Sequence, residues 1–247
     1  MFDAAPVLAD VPGLVHGFSD RLGGVSDGRF SSLNLAAKWG DDPARVRENV
    51  ARLASAAGFA PDQLRRVTQV HGNAVVWAED ADGATQADAL CCRRGDGVVV
   101  GVLTADCVPV LLADAAGQVA AAVHSGWRGT VADITGQTVA ALARAGASPS
   151  TLRAAIGPCI ELAAFEVGEE VAVQFDDAFV DRTLGPRPHV DLVAAVMAQL
   201  HAAGVPVDAT QRVGACTHDH PERWFSYRRD GAGIGQMLSF AGFPASG

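Results

Sequence analysis

The stretch from Thr104 to His124 constrains the fold more tightly than any other part of the chain. Two apolar runs, Val108-Pro109-Val110-Leu111-Leu112-Ala113 and Val119-Ala120-Ala121-Ala122-Val123-His124, are separated by the turn formers Asp114 to Gly117 and by Gln118. Each run has the length of a strand, and the link between them is short enough for a hairpin. Closed over a four-residue loop, the hairpin sets Ala113 opposite Gln118, Leu111 opposite Ala120, Pro109 opposite Ala122 and Cys107 opposite His124. Directly opposed residues hold their Cβ atoms roughly 4.5–5.5 Å apart. This register brings one thiol and one imidazole together at the open end of the hairpin.

The rest of the pattern places the hairpin in a mixed sheet. Asp42 and Pro43 start a helix as cap and first helical residue, Val46, Val50, Leu53 and Ala57 give it an apolar face, and Gly58 stops it. Further helices are expected over Thr130 to Ala145, Gly168 to Phe175 and Val190 to Ala203. Strands are expected over Leu14 to Ser19, Arg66 to His71, Ala74 to Ala78, Gly97 to Thr104, Leu152 to Ile156, Arg212 to Cys216 and Gln236 to Phe240. Helices and strands interleave, yet several strands are joined by tight turns, so a mixed sheet fits better than a pure βαβ repeat. No repeat or linker divides the chain. A single α+β domain over residues 1–247, with mixed β-sheets flanked by helices, is expected.

Composition narrows the function. The chain carries 28 acidic and 19 basic side chains, a net charge of −9. Such a balance disfavours nucleic-acid and anionic-membrane partners. No apolar run is long enough to span a bilayer. Lys38 is the only lysine, and no G-x-x-x-x-G-K-[ST] run surrounds it, which excludes Walker-type nucleotide chemistry. The five cysteines are odd in number and no signal-like segment opens the sequence. A cytoplasmic protein with reduced thiols is expected, in which a cysteine serves as ligand or nucleophile.

A thiol beside an imidazole has two productive uses. Cys107 and His124 can form a nucleophilic pair. They can equally supply two ligands of a three-ligand metal site, and the mixed N and S donors favour zinc with one position open. His71, at the end of Gln69-Val70-His71-Gly72, is the best third ligand. His16, His189 and His201 have weaker settings, and His218-Asp219-His220 reads as an exposed loop beside Pro221. The plain alternative is that Cys107 is a small buried hydrophobe and His124 a satisfied core group. Asp106 stands beside Cys107, where it is placed to orient a ligand imidazole. Arg128 follows a glycine-containing strand-to-helix turn, a setting for an anion such as phosphate. Arg21, in the first glycine-rich loop, is a similar candidate. Ser226-Tyr227-Arg228-Arg229 is either a binder of a ring and an anion or an exposed basic turn. Cys91-Cys92, beside Arg93-Arg94, reads as a surface loop, and Cys159 as structural.

Taken together, several stretches resemble the laccase-domain family of purine nucleoside phosphorylases, also named polyphenol oxidases or peptidoglycan editing factors. They are Gly23-Gly24-Val25-Ser26 through Ser32-Leu33-Asn34-Leu35, Gly40-Asp41-Asp42-Pro43, Gln69-Val70-His71-Gly72, Thr104-Ala105-Asp106-Cys107-Val108-Pro109, Val123-His124-Ser125-Gly126-Trp127-Arg128-Gly129, Ile156-Gly157-Pro158-Cys159-Ile160 and Ser226-Tyr227-Arg228-Arg229-Asp230-Gly231. The order is the family's, with small departures at Asp20 and Ala36. The resemblance implies zinc held by His71, Cys107 and His124, the residues that would also be catalytic. It implies phosphorolysis of adenosine, inosine and methylthioadenosine, adenosine deamination, and purine nucleosides and phosphate as partners of a monomeric or homodimeric enzyme. Phosphate would be held by Arg21, Arg128 or Arg228. Two other activities come with the family: removal of a wrong amino acid from a cell-wall precursor, and copper-dependent phenol oxidation. The last fits the residues poorly. A blue-copper centre takes two histidines and a cysteine, and seven histidines leave too few for a further copper cluster. Copper in the same open site is the simpler source of any oxidase activity.

Overall fold

The computed structural model describes residues 1–245. In chain order the strands are β1 (Phe2–Asp3), β2 (Val15–Ser19), β3 (Leu64–Arg65), β4 (Val75–Trp77), β5 (Ala89–Arg93), β6 (Val99–Thr104), β7 (Val108–Asp114), β8 (Val119–Ser125), β9 (Leu152–Ile156), β10 (Val180–Asp181), β11 (His189–Val190), β12 (Thr210–Arg212) and β13 (Met237–Gly242). The α-helices are α1 (Pro43–Ala57), α2 (Trp127–Val131), α3 (Ile134–Arg144), α4 (Glu169–Ala172), α5 (Leu192–Ala202) and α6 (Tyr227–Asp230).

Two mixed sheets carry the fold. One runs β1-β2-β13-β6-β3 and the other β12-β9-β7-β8-β5-β4, with β10 and β11 paired apart. The sheets lie face to face because their central strands are apolar on both sides. Along β7, Leu111 and Ala113 point into one buried cluster with Phe18, Val100 and Val102 of the first sheet. Val110 and Leu112 point the other way, into a cluster with Ile134, Leu142, Val196 and Leu200 of α3 and α5. The outer face of the first sheet buries Val99, Leu238 and Phe240 against Leu53 and Ala54 of α1. Continuous apolar runs are what strands covered on both faces require. The result is the expected α+β architecture, helix layers outside two mixed sheets.

The α1 signals act as read. Asp42 accepts from the Ala44 N–H at 2.8 Å, and Gly58 ends the helix at φ 80°. Other expectations are corrected. The segment from Thr130 to Ala145 is two helices: Asp133, at φ 54°, accepts from the Gly136 N–H and starts α3 afresh. The segment Gly168 to Phe175 holds only the single turn of α4. Arg66 to His71 is not a strand: β3 ends at Arg65, and within the segment only Thr68 forms a lone bridge. Cys91 and Cys92 are fully buried in β5, each facing a different core cluster. Arg93 ends that strand by stacking on Trp77 and pairing with Glu79.

The hairpin register also differs. Ala113 pairs with Ala120, Leu111 with Ala122 and Pro109 with His124. The Asp114 carboxylate accepts from the N–H groups of Gln118 and Val119 at 2.6 and 2.8 Å, which moves the loop one residue later than expected. Cys107 thus lies two residues before the partner of His124, at the turn where the chain leaves β6 of one sheet for β7 of the other.

Candidate metal centre

His71, Cys107 and His124 converge although the register moved. Their ligand atoms all lie within 4.8 Å of one another, the one such His, Cys, Asp or Glu group of three or more among the described residues. The His71 and His124 rings meet edge to face at 4.7 Å between centroids. His71 comes from the loop before β4, Cys107 from the β6–β7 turn and His124 from the end of β8. His71 adopts φ 60° and Asp106 φ 95°. Non-glycine residues in that region concentrate where surrounding contacts hold them for function.

Gly126 makes the approach possible. Continued one step past the end of the ladder, the hairpin register sets Gly126 across from Cys107. A Cβ on Gly126 would stand 3.0 Å from His71 Cδ2 and 3.1 Å from Cys107 Sγ. The gap left by the missing side chain is the space in which the three donors meet.

Asp88 organises the centre, and the sequence reading missed it. Its Oδ1 lies 2.7 Å from His124 Nδ1. The same carboxylate accepts from the N–H groups of Val70, His71 and Gly72 at 3.2, 3.0 and 2.7 Å. Its backbone carbonyl accepts from the His124 N–H at 2.7 Å. With Nδ1 facing a carboxylate, Nε2 is the His124 nitrogen left for a metal. Burial raises the Asp88 carboxyl, but the bonds from His124 and from the Gly72 and Val70 N–H groups overcome it and leave it below the usual carboxylate value.

Asp106 does a different job from the one expected. It accepts from Thr217 Oγ1 and from the Arg228 N–H, each at 2.6 Å, and its carbonyl accepts from the Ile160 N–H at 2.9 Å. It therefore ties the Cys107 turn to α6 and to two loops, and holds neither imidazole.

The electrostatics favour a thiolate. Burial raises the Cys107 thiol, yet neighbouring His124 and His71 more than offset this and bring it down to about 6. Burial lowers His124, but Cys107 and Asp88 lift it to about 9. A thiolate and two imidazoles are the donor set that zinc takes, and copper competes for the same atoms. The donors fit a three-ligand site with one open position, because all three also line a cleft of about 770 Å³.

That cleft has mostly apolar walls, including Val67, Leu103, Ile160 and Ile234, and two cations, Lys38 and Arg228. Of the three arginines expected to hold phosphate, only Arg228 lines the cleft. Its guanidinium stacks on Phe165 and donates to the Glu166 carbonyl at 2.6 Å. Arg21 is occupied by the Ser31 and Pro221 carbonyls and stacks on Phe225. Arg128 lies outside the cleft, exposed over the Trp127 ring. His220 is exposed, as expected, His218 is half-buried, and Cys159 is fully buried. No helix among the described residues is long and apolar enough to cross a membrane.

Comparison with known proteins identifies the family. A family model described as "Multi-copper polyphenol oxidoreductase laccase" matches residues 15–244. A protein of Deinococcus radiodurans named "Purine nucleoside phosphorylase" is 43% identical over 243 residues, 97% of this chain and 92% of its own. "Purine nucleoside phosphorylase YfiH" of Escherichia coli is 38% identical over 225 residues, 90% of each chain. The crystal structure of YlmD from Geobacillus stearothermophilus superposes with a TM-score of 0.88 at 32% identity, covering 98% of this chain and 94% of that one. The chain belongs to the family described as multi-copper polyphenol oxidoreductase laccase, whose relatives here carry the name purine nucleoside phosphorylase.

Proposed function

We propose that the chain is a zinc-dependent purine nucleoside phosphorylase acting on adenosine, inosine and methylthioadenosine, with adenosine deamination at the same centre. The observation that carries this reading is the His71–Cys107–His124 cluster opening into a nucleoside-sized cleft. The names of the relatives support the reaction class.

In phosphorolysis, a phosphate oxygen forms a bond to the ribose anomeric carbon as the glycosidic bond breaks. The bonding pair leaves with the base, which then takes a proton. Zinc, which His71, Cys107 and His124 would hold, would supply Lewis acidity toward charge gathering on the purine and would lower the pKa of a water in deamination. The chain's own groups do the rest. Asp88 fixes the His124 ring, and Asp106 fixes the Cys107 turn against the Arg228 N–H. Lys38 and Arg228 supply positive charge where phosphate must enter. The apolar walls offer a purine ring a surface to pack against. Phenol oxidation through several coppers has only one three-donor cluster to draw on among the described residues.

Adenosine incubated with and without phosphate, with products separated by chromatography, tests the reading. Adenine that appears only with phosphate supports phosphorolysis, and inosine without phosphate supports deamination. Absence of both products rejects it. One observation favours a second reading. The lowered Cys107 thiol beside His124 and Asp88 resembles a nucleophilic relay. A Cys107 hydrolase that releases an amino acid from a cell-wall precursor would keep working in chelator and form an acyl-enzyme.

A further inference from the structure

Two exposed aromatic rings form a tilted pair at the cleft. Trp39 and Tyr227 both line it, with centroids 6.4 Å apart and planes 33° apart. Tyr227 is the chain's only tyrosine and is 52% exposed, and Trp39 is 36% exposed. Rings of this size are normally buried, so an open pair beside a cleft marks a ligand surface.

Both rings sit on braced supports. The loop that carries Trp39 is pinned at its two ends by a buried polar network. Asn34 Nδ2 donates to Asp41 Oδ2 and to the Ala36 carbonyl at 2.8 Å each, and Ser26 Oγ donates to Asp41 Oδ2 at 2.7 Å. Asn49 of α1 donates to Ser26 Oγ and to the Asn34 carbonyl at 2.9 Å each. Arg66 adds a bond to the Leu35 carbonyl at 2.8 Å. Between those anchors, Lys38 and Trp39 project into the cleft, with Lys38 Nζ 5.4 Å from the indole centroid. Tyr227 begins α6, which Asp106 holds through the Arg228 N–H and Ser226 caps through the Arg229 N–H.

We propose that Trp39 and Tyr227 hold the purine ring of the nucleoside between them. This assignment rests on the phosphorylase reading and names the base-binding part of the site. A planar ring in contact with both partners at about 3.5 Å on each side needs roughly 7 Å between them. At 6.4 Å and 33° the two rings are paired with each other, so the Trp39 loop must swing outward and its ring turn parallel to Tyr227 before a base fits between them. Stacking uses the face of the heterocycle and ignores its substituents. It therefore suits a site that accepts both the 6-amino and the 6-oxo purine, and leaves the ring edge to the groups on the cleft floor.

The test is the KM of the metal-loaded protein for adenosine and for inosine, read by chromatography at saturating phosphate. Trp39→Leu and Tyr227→Leu should each raise both KM values by roughly five- to 150-fold. Trp39→Phe should stay within a few-fold of wild type, and metal content and the KM for phosphate should be unchanged in all three. Leu variants with the wild-type KM for both nucleosides overturn the clamp and leave the phosphorylase reading standing. So does a Trp39→Phe variant with KM values as high as those of Trp39→Leu. Wild-type protein that converts neither nucleoside overturns both.

Discussion

At the scale of single residues, Asp88 shows how a group outside the three candidate donors sets their positions. One carboxylate faces His124 Nδ1 and accepts three consecutive N–H groups around His71. It thereby positions two of the three donors. Asp88→Asn keeps the shape but removes the charge and offers an N–H where acceptors are needed. It should lower metal affinity by roughly 10–100-fold, measured by competition with a chromogenic chelator. Unchanged affinity would remove Asp88 from the centre. Cys107 gives a second prediction. A thiol lowered to about 6 is ionised above that pH and loses its charge as pH falls through it. Cys91 and Cys159 are pushed up to about 12 by burial, and Cys92 and Cys216 are raised too. In chelator-stripped protein at pH 7, iodoacetamide should label Cys107 alone among the five, with a rate midpoint near pH 6. Mass spectrometry reads this, and a midpoint near 9 would contradict it. The donors were legible because Cys and His are scarce, five and seven in the chain. Asp88 was not, because it is one of 28 acidic residues and only the β5–β8 pairing brings it to His124.

At the scale of elements, the hairpin explains both what the sequence revealed and what it hid. The observed pairing of Leu111 with Ala122 replaces Leu111 with Ala120. That slip of two keeps every side chain on its own face, so the apolar pattern cannot tell the registers apart. Only the Asp114 carboxylate, bonding Gln118 and Val119, selects one. The slip sets Gly126 rather than His124 across from Cys107, and so gives Gly126 a role. Gly126→Ala should force His71 and Cys107 apart, costing about 1–3 kcal/mol in urea denaturation and lowering metal occupancy. Full occupancy would show that the gap is not needed. Strand β5 escaped notice because Arg93 and Arg94 follow two cysteines. The structure satisfies Arg93 at the end of β5 by Trp77 and Glu79 while Cys91 and Cys92 stay in the core.

At the scale of the whole molecule, the site lies where the chain passes from one sheet to the other. The β6–β7 turn brings Cys107, the end of β8 brings His124, and the loop before β4 brings His71. The two-sheet core fixes all three, while the cations and rings of the cleft come from outer loops and α6. Lys38→Gln should therefore raise the KM for phosphate about tenfold, one lost charge-assisted contact at roughly 1.4 kcal/mol, and leave metal content intact. An unchanged KM would assign phosphate to Arg228 alone. The most direct test of the three-donor centre is elemental analysis of purified wild-type and His71→Ala protein by mass spectrometry. One zinc per wild-type chain, lost from His71→Ala while circular dichroism stays native, is expected. Equal metal in both proteins would contradict a centre built on His71, Cys107 and His124.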